Sequence, residues 1–305
     1  MSGGSGRDRL VAGDGNDLLK GDSGNDVLLG GRGNDRLYGG LGDDVLYADD
    51  EGISVSGGFV FGGDRLYGGQ GEDTIYGANG HDTIDGGTEA DVVHAGHGDD
   101  VIEGGAGDIL YGEGGNDTFN ITGFGRSVSV YGGDGDDRVE AGPSALSVIA
   151  DGGAGNDYIG GSTDDDRLKG GSGDDSLYGG RGADTLEGGT GNDLLSGGGP
   201  SRSYNGTSFF DDEGDTFVFR VDAQGSSGHD RVVGFNDSNV PDVIQIISTQ
   251  FDSFSEVMDH ATESWGDTVL DFGRGNTITL EDVLVSDLRA ENFSFIVPGD
   301  FGLVL

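Results

Sequence analysis

Between residues 3 and 196 the chain repeats one pattern about every nine residues: a glycine-rich polar run of six, then a triplet with an apolar residue in its middle. The copy at 30–38 reads Gly30-Gly31-Arg32-Gly33-Asn34-Asp35-Arg36-Leu37-Tyr38, and the next, 39–47, carries Asp44 and Leu46 at the same places. Glycine reaches the positive φ values that tight turns need, so the six-residue run predicts a turn. The triplet predicts a short strand whose middle side chain points one way while its neighbours point the other. That middle position is apolar throughout: Leu10, Leu19, Leu28, Leu37, Leu46, Leu66, Ile75, Ile84, Val93, Ile102, Leu110, Phe119, Val139, Ile159, Leu168, Leu177, Leu186 and Leu195. A three-residue strand cannot bury itself, but two rows of such strands facing each other along an axis make a thin continuous core. The predicted fold is all-β, a right-handed parallel solenoid.

The sixth position of each of those copies is aspartate: Asp8, Asp17, Asp26, Asp35, Asp44, Asp64, Asp73, Asp82, Asp91, Asp100, Asp108, Asp117, Asp137, Asp157, Asp166, Asp175, Asp184 and Asp193. Carboxylates stacked at the strand spacing of about 4.8 Å repel one another strongly, and a cation between successive turns makes the column tolerable. Oxygen-only ligands, carboxylates with turn carbonyls, suit a hard ion, and calcium accepts irregular geometry more readily than magnesium. A turn residue alone would be replaced by Asn or Ser in some copies. Here the position does not vary within the chain.

Three eleven-residue stretches break the period: 48–58, 121–131 and 141–151. Each carries Ser-Val at its seventh and eighth positions: Ser54-Val55, Ser127-Val128 and Ser147-Val148. They are expected to be degenerate half-turns that keep an inward valine, with Ile53, Arg126 and Leu146 in place of the aspartate. The copy 104–111 is one residue short, which makes Asp108 a weaker ligand candidate. Counting all of these gives about 21 half-turns, two per full turn. On that count one edge carries an unbroken row, Asp8, Asp26, Asp44, Asp64 and every second copy to Asp193. The other edge is interrupted. The expectation is about ten ions on the first edge and about four on the second, about 14 in all.

Sixty-six glycines without a three-residue period exclude collagen. A formal charge of −41 disfavours a compact state without bound cations. The chain is therefore expected to fold on binding calcium. So acidic a surface also argues against nucleic acid and anionic membrane as partners. With no cysteine there is no disulfide framework, and calcium would take that role in an exported chain. No run approaches about 18 apolar residues, so no membrane-spanning segment is expected. The chain opens inside a repeat with no signal-peptide pattern, as a small protein or a piece of a longer one would.

From about residue 197 glycine thins and Phe, Val and Ile rise. Strands are expected at 216–219, 231–235, 242–247, 268–272 and 276–280. A short helix is expected over 253–262 behind Ser253. Two domains follow: 3–196, the repeat array, and 197–305, a β-rich cap with one short helix that shields the open end.

The array resembles the hemolysin-type (RTX) calcium-binding repeats of bacterial secreted proteins. The tail resembles the C-terminal region that follows such arrays, at Asp215-Thr216-Phe217-Val218-Phe219, His229 to Phe235, Gly266 to Phe272, Asn276-Thr277-Ile278-Thr279-Leu280 and Asn292-Phe293-Ser294-Phe295. The resemblance implies a parallel β-roll with calcium between turns and export through the type I secretion apparatus on an uncleaved C-terminal signal. Asp300 to Leu305 resembles the acidic-then-apolar ending of such signals. The expected function is a secreted, extracellular calcium-binding module that folds on calcium and supports export, with no catalysis of its own. Two alternatives stand beside it: a calcium-dependent module binding extracellular polysaccharide or a cell surface, and the C-terminal part of a larger RTX enzyme or toxin.

Other signals are weaker. His94 and His97 have metal-ligand spacing but read as solvated residues of the array. Gly21-Asp22-Ser23-Gly24-Asn25 looks like a nucleophile loop only because the repeat generates it, and the G-x-G-x-x-G matches arise the same way. Tyr38, Tyr47, Tyr67, Tyr76, Tyr111 and Tyr178 hold the ninth position and should face outward, through strand propensity and stacking or as a sugar-binding column.

Overall fold

The computed structural model describes residues 1–48, 63–142, 146–198, 214–221, 228–235 and 240–297. They form two compact units, Met1–Asp151 and Gly152–Leu305. The expected positions Ile53, Val55 and Asp300 to Leu305 lie outside the described residues.

In the first unit the chain alternates between two parallel sheets. One contains Ser2–Ser5, Leu18–Ser23, Arg36–Leu41, Arg65–Gln70, Thr83–Thr88, Val101–Gly104, Thr118–Ile121 and Arg138–Ala141, paired in that order. The other contains Arg9–Asp14, Val27–Arg32, Val45–Tyr47, Thr74–Tyr76, Val92–His97, Ile109–Gly114 and Val128–Asp134. Leu19, Leu37, Leu66, Ile84, Ile102 and Phe119 line the inner face of the first sheet, and Leu28, Leu46, Ile75, Val93 and Leu110 that of the second, all fully buried. Burying each such side chain stabilises by roughly 1.5–3 kcal/mol. This is the parallel β-solenoid that the period predicts.

The register differs from expectation at 48–58. Arg36 pairs directly with Arg65, and Val45 with Thr74, so this stretch puts no rung between those strands. With no strand between those partners, every later copy changes edge relative to the expected assignment. By contrast, 121–131 does supply a rung, Val128–Asp134, paired with Ile109–Gly114. Its inward apolar residue is Val130, opposite Leu110, while Ile109 pairs with Ser129. That places Val128, not Arg126, level with Asp108. Val128 and Val130 are both buried, as are Leu146, Val148 and Ala150 around the strand Val148–Ala154.

In the second unit the pattern continues past residue 198. Tyr158–Gly160, Ser176–Gly180, Leu194–Gly198 and His229–Val233 form one parallel run, followed by Asn276–Leu280. Arg167–Ser172, Thr185–Thr190, Thr216–Val221, Val243–Ser248 and Phe293–Ile296 form the other. The first run ends in antiparallel pairing, Asn276–Leu280 with Asp267–Gly273 and that with Ala261–Ser264. Among the described residues helix is confined to Phe254–Met258 and two short 3-10 turns, and Ala261 and Thr262, expected at the helix end, belong to a strand. Phe251 packs edge-on against Phe272 at 5.0 Å and against His260 at 5.2 Å, under the hairpin.

Candidate calcium sites along two aspartate columns

Each repeat aspartate stands just before its strand, at the corner where the turn enters the sheet. Its backbone N–H donates to Oδ1 of the aspartate one full turn on. On one edge of the first unit the relay runs Asp17, Asp35, Asp64, Asp82, Asp100, Asp117, Asp137, with N···Oδ1 distances of 2.8, 2.5, 2.8, 2.7, 2.8 and 2.8 Å. On the other it runs Asp8, Asp26, Asp44, Asp73, Asp91, Asp108. Asp44 and Asp64 therefore lie on opposite edges, and the grouping of Asp8, Asp26 and Asp44 with Asp64 is corrected. One edge is unbroken and the other stops at Val128, but the unbroken one begins at Asp17.

The second carboxylate oxygen has a different fate. Oδ2 of Asp8, Asp26, Asp35, Asp44, Asp73, Asp91, Asp100, Asp117, Asp175 and Asp193 is buried without a hydrogen-bond partner. The glycine five residues upstream lets the backbone come this close. A Cβ at Gly21 would lie 2.5 Å from Asp26 Oδ2 and 2.5 Å from the carbonyl oxygen of Gly39, on the next turn. The carboxylate oxygens thus lie along one strip of glycine backbone beside turn carbonyls, such as that of Ala48, which accepts from Gly31 N at 2.8 Å. Buried acceptors without donors are costly, and a hard cation is the partner that oxygen ligands of this kind accept. Among the described residues no three His, Cys, Asp or Glu side chains gather round one point. The donor set is instead one carboxylate per turn with backbone carbonyls, which fits calcium.

Burial pushes these carboxyls up, and neighbouring aspartates add to the push. Asp44, Asp117 and Asp193 rise to about 6, and Asp73, Asp91, Asp100 and Asp175 to about 7, desolvation being the largest cause in each. Hydrogen bonds from the preceding turn act in the opposite direction and only partly offset it. The sign for stability follows. A carboxyl raised in the folded state costs nothing below the ordinary range near 4, and its cost is complete above about 7. With divalent cations chelated, acidification from pH 8 to pH 5 should therefore restore strand signal in circular dichroism. A further loss of strand signal on acidification would contradict this.

Two aspartates depart from the pattern. Asp108 closes its short turn by accepting from Gly105 N at 2.7 Å through Oδ2. Asp166 accepts from Ser162 N at 2.6 Å in the same way. In both, the oxygen that stays unpaired elsewhere is engaged locally. Asp157 continues one column of the second unit through Asp175, Asp193 and Asp230, and Asp166 the other through Asp184, Asp215 and Asp242. The sequence reading missed Asp215, Asp230 and Asp242, which lack the glycine-rich turn. The signal that remains is Asp two residues before a buried apolar residue, Phe217, Val232 or Ile244. Asp230 is pushed up to about 8, chiefly by burial and then by Asp193. Asn292 closes one column by donating through Nδ2 to the carbonyl of Asp242 at 3.1 Å.

The ninth-position residues do face outward. Tyr47, Tyr76, His94, Tyr111 and Tyr131 form a stack with ring centroids 4.8–5.1 Å apart. His94 sits inside that stack with Nδ1 3.0 Å from Glu113 Oε1. Ring faces are turned toward one another, so a sugar meets edges and hydroxyls.

No curated protein matches the chain in sequence. Among solved structures, the extracellular lipase LipA from Serratia marcescens is similar to it at 21% identity and a TM-score of 0.31, over 68% of this chain and 40% of the lipase. The chain thus spans less than half of that protein's length, and nothing of the lipase's chemistry is carried over. The family model for the RTX calcium-binding nonapeptide repeat matches residues 2–37, 21–51, 61–93, 76–108, 108–120, 127–144, 151–186 and 178–199, more than half of the chain. Its matches fall on the turns that bear the two aspartate columns, and the chain belongs to the family of RTX calcium-binding nonapeptide repeats.

Proposed function

We propose that the chain is a calcium-triggered folding module of a secreted, extracellular protein, one that supports type I export and carries no catalysis of its own. The observation that carries this reading is that Oδ2 of Asp8, Asp26, Asp44, Asp73 and Asp91 on one edge, and of Asp35, Asp100 and Asp117 on the other, is buried without a donor. Such a chain stays open where calcium is scarce and closes where it is millimolar, the range in which extracellular modules bind. Each gap between successive aspartates of a column holds one ion. The first unit then has six gaps on the Asp17 edge and five on the Asp8 edge. The ligands are the column aspartates with turn carbonyls. Asp108 and Asp166 bind least well, because Oδ2 already accepts a hydrogen bond in each. Residues from 197 on act as the cap, supported by the antiparallel strands that end one parallel run. The raised carboxyls lie in the columns. One cavity on the first unit is lined by Asp85, Glu89, Glu103, Thr88, Thr122, Ala106 and glycines, without a column aspartate.

Isothermal titration with calcium tests the reading, and Asp100→Ala against Asp17→Ala tests shared coordination. Asp100 lies mid-column between Asp82 and Asp117, and its loss disturbs the gaps on both sides. Asp17 begins its column in this chain and is bonded onward to Asp35. Asp100→Ala should raise the calcium midpoint several-fold more than Asp17→Ala. Equal midpoints would exclude ions shared between turns.

A further inference from the structure

The outer face of the sheet that contains Arg36–Leu41 and Arg65–Gln70 carries a group of cations that the calcium columns do not use. Arg36 and Arg65 stand directly opposite each other in register, and Lys20 stands opposite Tyr38, which is opposite Tyr67. Both arginines and Lys20 are exposed. Tyr38 and Tyr67 stack with centroids 5.0 Å apart and planes 8° from parallel, and Lys20 Nζ lies 5.7 Å from the Tyr38 centroid. Like charges directly opposite on neighbouring strands destabilise a sheet. The chain has 57 acidic residues against 16 Lys and Arg, so scarcity of acids does not explain an arginine pair without one. Neither guanidinium has an ion-pair partner among the described residues, whereas Arg138, Arg220 and Arg231 each have a glutamate.

We propose that this patch binds a carboxylate-bearing linear polysaccharide. The chain of sugars runs across the strands, with carboxylates on Arg36 and Arg65 and hydroxyls on the edges of Tyr38 and Tyr67. Two guanidinium forks at the strand spacing match carboxylates repeated at a comparable distance along a sugar polymer. The patch is narrow and is bounded by Asp85, which stands opposite Tyr67. A dense polyphosphate, with more than one charge within each strand spacing, needs more cations than the three of this patch. The proposal rests on the calcium-folded reading, because the pair exists only when the two strands are side by side.

The test uses the full chain in millimolar calcium, titrated calorimetrically with a uronic-acid octamer, an uncharged gluco-octamer and single-stranded DNA. Circular dichroism of each protein in calcium, run alongside, shows whether the solenoid is formed and so separates failure of folding from failure of binding. Binding of the uronic-acid octamer, weakened about tenfold or more in R36S/R65S with the calcium midpoint unchanged, is the expected result. No binding of the uronate by the folded protein overturns the proposal. Equal binding by R36S/R65S also overturns it, since uronate held by calcium alone would survive those changes. So does equal binding of the gluco-octamer, or tighter binding of DNA.

Discussion

In EDTA at neutral pH the full chain should lose most of its strand signal and expand, and millimolar calcium should restore both. The first reason is electrostatic: carboxyls raised to about 6 or 7 by burial and by one another oppose folding at pH 7 when no cation stands among them. The second is mass action. A site that binds only the folded chain adds about 1.4 kcal/mol when free calcium is tenfold above its Kd. Several such sites together match the whole stability of an ordinary domain, roughly 5–15 kcal/mol. The transition should be steep, because each turn is stabilised by its neighbours. Some signal should persist from the hairpin of Asp267–Gly273 and Asn276–Leu280, where Leu270, Phe272, Ile278 and Leu280 are buried with Phe251. Circular dichroism and small-angle scattering across a calcium titration measure this. A spectrum unchanged by the chelator would refute calcium-dependent folding.

The second large effect is expected from a single methyl group. Gly86 has an ordinary φ, so alanine there meets no backbone strain. Its Cβ would nevertheless lie 2.5 Å from Asp91 Oδ2 and 2.9 Å from Asp91 Cβ. Neither can retreat without moving a strand, and overpacking of this kind costs about 1–3 kcal/mol. Because it displaces a carboxylate that is proposed as a ligand, Gly86→Ala should raise the calcium midpoint by about tenfold, equivalent to about 1.4 kcal/mol. Gly142→Ala is the control. Its φ is ordinary too, and its Cβ would meet only the Ile121 carbonyl oxygen, at 3.7 Å. It should leave both stability and the midpoint nearly unchanged. Equal midpoints in the two variants would show that glycine serves the turn and not the ligand column.

The architecture was legible because apolar and aspartate positions repeat with one period, and a solenoid converts period directly into stacking. Leu19 beside Leu37 and Asp17 beside Asp35 needed only that period. Edge assignment was not legible. The stretches 48–58 and 121–131 have the same length and the same Ser-Val, yet the second adds a rung and the first does not. Length and pattern do not say whether an insertion makes a strand or widens a connection. The exchange of Val128 and Val130 has another cause. A strand's side chains alternate with period two, so a shift of two residues keeps both valines inward and changes only their partners. Asp215, Asp230 and Asp242 escaped because the search followed glycine, whereas the corner needs only the aspartate and the apolar residue after it.

The aspartate relay has a direction. In every described step the upstream residue gives its N–H and the downstream residue supplies the oxygen, as Asp82 does to Asp100 and Asp100 to Asp117. The main chain returns the bond: Thr118 N–H donates to the carbonyl of Asp100 and Arg138 N–H to that of Asp117, both at 2.8 Å. Successive corners are thus clasped in both directions, carboxylate one way and carbonyl the other, and fraying one turn breaks a bond of each kind.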